Sequence, residues 1–214
     1  MSAVFSQERF DAMPIVGILR GFTLKETLTL ASISEQVGLK NLEITMNTEG
    51  VEDQIKACLD NFGDDLNIGA GTVTDMESLE IALEVGAQFI VTPNVNEAVI
   101  KACVSKKVSI FSGAFTPTEI DQAWRAGATM VKIFPADTLG PAYLKAVMGP
   151  LNHIPMMPTG GVDPNSMAKW KAAGAKAYGV GGSLYNTKAV RAGDWESVTK
   201  TAKSFVAAYR ALNN

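Results

Sequence analysis

The sequence predicts an α/β chain folded as a single (β/α)₈ barrel of the TIM type, and three observations carry that expectation. Eight short apolar runs alternate with amphipathic helical stretches, their starts about 19 to 27 residues apart, the spacing of a strand, a helix and two loops. Three units lie over one another by eye: "GTVTDMESLEIALEVGAQFIVTP", "AFTPTEIDQAWRAGATMVKIFP" and "GGVDPNSMAKWKAAGAKAYGVGG". In each, a turn residue opens a helix, Gly-Ala closes it and a strand follows. Finally, the 214 residues contain no Pro/Gly/Ser linker and no low-complexity stretch, so 1–214 reads as one domain.

Taken in order, the chain opens with "MSAVFSQERFDAMP", which has acidic residues early and no long apolar core. It does not read as a signal peptide; about 1–13 is expected to be a short surface helix ahead of the barrel. The strands expected are "IVGILR", "LEITM", "NIGAGTV", "FIVTP", "VSIFSGA", "MVKIF", "MMPTGG" and "YGVGGS". Gly38, Gly86, Gly127 and Gly174 stand where helices preceding four of these strands would need left-handed C-caps.

Composition narrows the function. With 47% hydrophobic and 19% charged residues the chain can bury a full core. The net charge is −3 and the basic residues are scattered, which argues against nucleic acid and anionic membrane as partners but leaves room for a local phosphate site. No apolar run approaches the roughly 20 residues of a membrane helix. Cys58 and Cys103 lie in helical patterns without metal-ligand spacing and read as reduced thiols of a cytoplasmic protein. His153, the only histidine, sits in the "GPLNHIP" turn and reads as structural or surface. One histidine cannot supply a multi-histidine metal site, so no metal ligands are expected.

The run "MVKIFPAD" places Lys132 in the middle of an otherwise apolar strand. An edge lysine snorkelling to water would explain it. The repeat gives another answer. Five residues on from each capping glycine lie Glu43, Val91, Lys132 and Gly179, on strands two, four, six and eight. Alternate strands of a closed barrel supply one layer of inward side chains, so Glu43 and Lys132 are expected to face each other across the interior. A register slip of one residue would turn either outward. Burial lowers the pKa of a lysine, and the neutral amine adds to ketones to give an iminium, an electron sink. Glu43 would then move protons. The structural alternative is a buried Lys–Glu ion pair.

Two features point to the substrate. "PTGG" and "GVGGS" end strands seven and eight, where barrels commonly bind phosphate through backbone N–H groups. Gly160, Gly161, Gly181 and Gly182 allow close approach there, and Ser183 offers a hydroxyl. Thr72 in "GAGTV" could bond a carboxylate or keto oxygen, and Arg20 in "ILRG" either holds a carboxylate bidentately or is a loop residue.

"LEITMNTEG", "GAGTV", "VTPNVN", "VKIFPA", "PTGGV" and "GVGGSL" follow in this order over nearly the whole chain. Together they closely resemble the class I aldolases acting on 2-keto-3-deoxy-6-phosphogluconate and 4-hydroxy-2-oxoglutarate. The resemblance implies a Schiff-base enzyme on a (β/α)₈ barrel, a homotrimer with no metal or other cofactor, whose partners are a 2-keto-3-deoxy sugar acid phosphate and pyruvate. It implies that Lys132 forms the iminium, that Glu43 is the acid/base and that Thr72 lies near the pyruvoyl carboxylate. Gly160, Gly161, Gly182 and Ser183 would hold the phosphate, with Phe134 and Pro93 lining the site. One departure stands out: Asn47 occupies the place of an arginine that many members carry soon after the glutamate, with Arg20 as its substitute. That resembles the branch acting on the galactonate epimer, whereas Thr159 is the residue of the gluconate type. The expectation is cleavage of 2-keto-3-deoxy-6-phosphogluconate, with its galactonate epimer as the alternative. A metal-independent phosphosugar isomerase or epimerase is the rival on the same barrel, and a non-catalytic phosphate-binding scaffold is a third reading.

Overall fold

In the computed structural model, which describes residues 4–212, the repeat becomes eight parallel strands with helices between them. A first helix, α1 (Gln7–Ala12), precedes β1 (Ile15–Leu19), α2 (Leu24–Val37), β2 (Asn41–Thr45), α3 (Val51–Phe62) and β3 (Asn67–Gly71). The chain continues through α4 (Met76–Glu84), β4 (Phe89–Val91), α5 (Glu97–Ser105), β5 (Ser109–Ala114), α6 (Pro117–Arg125) and β6 (Met130–Ile133). It ends with α7 (Ala136–Val147), β7 (Met156–Pro158), α8 (Met167–Ala172), β8 (Tyr178–Val180), α9 (Thr187–Ala192) and α10 (Trp195–Ala211). The sheet runs β7-β6-β5-β4-β3-β2-β1-β8, and a single bridge between Thr159 and Gly179 closes its two edges into a barrel.

Local chemistry repeats with the units. Gly38, Gly86, Gly127 and Gly174 all take positive φ, between 92° and 107°. After each, the next N–H returns to a carbonyl five residues back: Leu39 to Ser34, Ala87 to Ala82, Ala128 to Ala123 and Ala175 to Trp170. These bonds satisfy carbonyls that a helix end leaves orphaned and aim the chain into the following strand. Thr23, Asp75 and Thr116 cap the starts of α2, α4 and α6 in reciprocal capping boxes.

Strand alternation divides the apolar residues into two concentric cores. Leu42, Ile44, Ile68, Ala70, Ile90, Ile110, Val131, Ile133 and Val180 pack outward against the helices. Val16, Phe89, Val91, Phe111, Met130, Met157 and Ala177 form a separate cluster inside the barrel. Because successive side chains of a strand take opposite faces, Glu43 between Leu42 and Ile44, and Lys132 between Val131 and Ile133, must point inward.

The first helix is more than the surface element expected. Its Phe10 is 3% exposed and joins the interior cluster, its ring 5.2 Å from that of Phe111, while Phe5 lies 5.6 Å from Phe89. Polar groups fix this plug. Asn67 accepts from the Ser6 N–H at 2.8 Å and donates to the Ser6 carbonyl at 2.9 Å, and Asn41 donates to the Met13 carbonyl at 2.8 Å. The N-terminal end of the barrel is thus sealed, leaving the strand C-termini as the open end. Phe10→Ala should lower unfolding stability in a denaturant titration by about 3–5 kcal/mol, the usual effect of emptying a buried aromatic site.

Candidate active site

At the open end the residues singled out from the sequence converge. A cavity of about 250 Å³ is lined by Arg20, Phe134, Thr159, Gly160, Gly161, Gly181, Gly182 and Ser183, together with Ile18, Val162 and Gly179. Lys132, 3% exposed, has its side-chain nitrogen 5.1 Å from the centre of the ring of Phe134, which lines that cavity. Glu43 is 1% exposed.

Glycines make room for these groups. A Cβ on Gly71 would lie 2.6 Å from Glu43 Oε1, so the carboxyl occupies space that a side chain on β3 would deny it. A Cβ on Gly179 would lie 2.2 Å from Thr159 Oγ1, which places the threonine hydroxyl in the seam between β7 and β8. Beside Lys132 in the sheet, Gly113 lets the carbonyl of Pro93 cross β5, where a Cβ would stand 2.2 Å from the Pro93 carbonyl carbon. Gly71, Gly113, Ile18 and Val162 do not stand out in the sequence as site residues, and for the two glycines the available signal is an inward position beside a charged strand residue.

The electrostatics are unusual. The ion pairs among the described residues are Lys101–Glu97, Arg125–Asp121 and Arg191–Glu26, so Glu43 and Lys132 are not in direct ion-pair contact. Neither carboxyl oxygen of Glu43, nor Thr159 Oγ1, has a hydrogen-bond partner within the protein. Buried polar atoms are almost always paired, so these three are exceptions, the two of Glu43 lying against Gly71 and that of Thr159 against Gly179. Burial pushes the Glu43 carboxyl above its ordinary value, with Lys132 and Arg20 pulling the other way. Burial drives the Lys132 amine below its ordinary value, opposed by Glu43 and assisted by Arg20. Both shifts favour the uncharged forms, an amine and a carboxylic acid.

Around the rim, Arg20 is exposed and donates to Thr72 Oγ1 at 3.3 Å. Thr72 holds a φ of 58°, a left-handed conformation that costs a non-glycine residue on the order of 1–3 kcal/mol. The loop carrying Arg20 is held from outside: Arg191 donates to the Gly21 carbonyl at 2.6 Å and to Glu26 at 2.5 Å. Asn47 is exposed, as a rim position requires. Gly160 and Gly161 take φ of 100° and 68°, and a Cβ on Gly161 would fall 2.6 Å from Cβ of Asp137, so the loop after β7 passes close to the start of α7. Ser183 donates to the Val162 carbonyl at 2.7 Å, tying the loops after β7 and β8 together. After β8 the Gly181 carbonyl accepts from Leu184 and Tyr185, so a helical turn begins there, and the leading N–H groups of such a turn have no partner within it.

Other residues stand apart from this site. Cys58 and Cys103 are buried free thiols, both pushed up to about 12 by burial, which leaves them as unreactive thiols. His153 stacks edge-on near Trp124, 6.3 Å between rings. Among the described residues no three His, Cys, Asp or Glu side chains gather as a metal site would need, and no helix is long and apolar enough to cross a membrane.

The fold is a (β/α)₈ barrel with a cavity among the loops that follow β7, β8 and β1. Comparison with known proteins gives the family. The family model described as "Aldolase: KDPG and KHG aldolase" matches residues 7–201. The chain is 39% identical over 202 residues to a 2-dehydro-3-deoxy-6-phosphogalactonate aldolase of Escherichia coli strain K12, covering 92% of this chain and 95% of that one. It is 32% identical over 205 residues to a 2-dehydro-3-deoxy-phosphogluconate aldolase of Pseudoalteromonas atlantica, covering 95% of each. The solved structure called "Native KDPGal structure" superposes with a TM-score of 0.88 at 35% identity, covering 98% of both chains. The chain belongs to the KDPG and KHG aldolase family, and it is a carbon–carbon lyase.

The burial of two ionisable groups predicts a stability cost. Unfolded, Glu43 ionises above about 4.5 and Lys132 below about 10.5; folded, burial raises the first value and lowers the second. Between those pH values both groups ionise more readily in the unfolded chain than in the folded one, so stability is forfeited across the neutral range. The double variant Glu43→Leu/Lys132→Met should therefore gain about 1–4 kcal/mol at pH 7 by chemical denaturation. The gain should shrink below about pH 4.5, where the Glu43 contribution disappears, and above about pH 10.5, where that of Lys132 does.

Proposed function

We propose that the chain is a class I aldolase that cleaves a 2-keto-3-deoxy-6-phosphoaldonate to pyruvate and glyceraldehyde 3-phosphate, with Lys132 as the Schiff-base nucleophile. The observation that carries this reading is the pair Lys132 and Glu43, both buried inside the barrel, not closed into an ion pair and both biased toward the neutral form. A structural Lys–Glu pair would be charged and in contact.

The reaction starts from that neutral pair. The Lys132 amine attacks the C2 ketone, and the carbinolamine loses water as Glu43 supplies a proton, leaving an iminium and a carboxylate. The carboxylate takes the proton of the C4 hydroxyl while the C3–C4 bond breaks, and the bonding electrons move into the iminium to form an enamine. Glyceraldehyde 3-phosphate departs. Glu43 returns its proton to C3, water hydrolyses the resulting iminium with Glu43 accepting the proton, and pyruvate leaves with both residues restored. Thr72 and Arg20, hydrogen-bonded at the rim, would take the substrate carboxylate. The glycines of 160–161 and 181–182, with Ser183, would take the phosphate. Phe134 covers the amine and Pro93 adjoins it through Gly113, which keeps water from competing at the reacting carbon.

Between the C4 epimers we propose the galactonate form as the preferred substrate. Taken alone, the sequence put the gluconate form first, on Thr159. The 39% identity to a phosphogalactonate enzyme against 32% to a phosphogluconate enzyme favours the other order, as does Arg20 joined to Thr72 where Asn47 replaces the usual arginine. The gluconate epimer is the second reading, which the buried Thr159 favours.

Borohydride reduction in the presence of pyruvate, followed by peptide mass spectrometry, should give a reduced pyruvyl adduct confined to Lys132. A folded protein that stays unmodified would overturn the Schiff-base reading. A kinetic panel of the two epimers and 4-hydroxy-2-oxoglutarate should show kcat/KM highest for the galactonate epimer, by about tenfold, the scale of one good hydrogen bond. The reverse order would assign the enzyme to the gluconate epimer.

A further inference from the structure

The turn after β8 exposes Gly182 and Ser183 to solvent, yet the residue that ends it is among the most deeply buried in the chain. Tyr185 is 1% exposed and reaches both β1 and α2. On the strand side, a Cβ at Gly17 would fall 2.6 Å from the tyrosine hydroxyl oxygen and 3.0 Å from its ring. Gly17 does not have positive φ, so its glycine is explained by the notch it leaves rather than by backbone shape. On the helix side, the hydroxyl lies 2.6 Å from Ser34 Oγ, which donates its own proton to the Leu30 carbonyl at 2.6 Å. Ser34 has one proton to give, so Tyr185 is the donor of the bond between them.

A phenylalanine would fill nearly the same volume without a polar group to bury. The sequence instead buries a hydroxyl, provides Ser34 to accept its proton, and removes the side chain of the strand residue facing it. A directional bond of this kind fixes a side chain in one place more narrowly than apolar contact does. What Tyr185 holds is the turn itself, since its N–H and that of Leu184 both return to the Gly181 carbonyl at 2.9 Å. None of the proposed chemical steps uses this residue.

We propose that Tyr185, seated in the Gly17 notch and bonded to Ser34, is a positioning residue that holds the 181–183 turn in the shape that receives the substrate's phosphate. The inference rests on the reading of that turn as part of the phosphate cradle. It makes a distinction that a purely structural tyrosine would not: loosening the turn should weaken recognition of the phosphate end and leave chemistry at Lys132 and Glu43 intact.

The test uses Tyr185→Phe and, independently, Ser34→Ala, with phosphorylated aldol substrate, unphosphorylated 4-hydroxy-2-oxoglutarate, and inorganic phosphate as a competitive inhibitor. In both variants KM for the phosphorylated substrate and the inhibition constant of phosphate should rise about three- to tenfold, the range of one hydrogen bond. The kcat should hold, and kcat/KM for 4-hydroxy-2-oxoglutarate should stay at the wild-type value. Equal losses on both substrates, or a lower melting temperature with unchanged KM, would make Tyr185 a core residue only and overturn the inference. If the wild-type enzyme itself neither prefers phosphorylated substrate nor responds to phosphate, the cradle reading falls and takes this one with it. A wild-type preference that survives both substitutions would remove Tyr185's role alone.

Discussion

Everything at the open end of this barrel depends on keeping an amine and a carboxyl out of water without letting them neutralise each other by contact. Desolvation is the largest influence on both Glu43 and Lys132, and it acts on each against its charged form. Direct pairing would undo this, since a contact ion pair stabilises both charges. The glycines nearby are therefore part of the electrostatics. Gly71 gives Glu43 its place against β3, and Gly113 brings the backbone after β4 beside the strand position of Lys132.

The two ends of the barrel interior are built for opposite purposes. At the N-terminal end Phe89, Phe111 and Phe10 fill the space and Asn41 and Asn67 satisfy the plug's backbone, so that end contributes cohesion. At the other end the inward positions become lysine, glutamate, threonine and glycine, and three polar atoms lack partners. The stability given up there is carried by the outer core between strands and helices, which is continuous around the barrel. A site that is costly to fold is affordable on such a scaffold because neither core depends on it.

The loops add a second division. Ser183 is bonded to the carbonyl of Val162, and Arg191 grips the Gly21 carbonyl beside Arg20, so loops from β7, β8 and β1 form one connected rim. Arg20 and the glycines after β7 and β8 thereby line one cavity.

Much of this was legible in the sequence because it follows from local rules. The strand–helix repeat, the capping glycines and the period-of-two alternation sufficed to place Glu43 and Lys132 in one inward layer, since a strand residue's face is settled by its parity against apolar neighbours. The motifs "PTGG" and "GVGGS" marked loops that line the cavity for the same reason, as backbone requirements show in residue type. Other features needed the folded chain. Whether Lys132 and Glu43 touch is a matter of distance across a barrel, which no spacing along the chain encodes. The seating of Tyr185 against Gly17 and Ser34 joins residues 151 or more positions apart, and the burial of Phe10 as a plug arises only once eight strands have closed around a space that needs filling. The sequence by itself determined which groups could do the chemistry; the tertiary structure decided that they would be dry, separated and held, because desolvation and distance belong to the closed barrel and not to any segment of it.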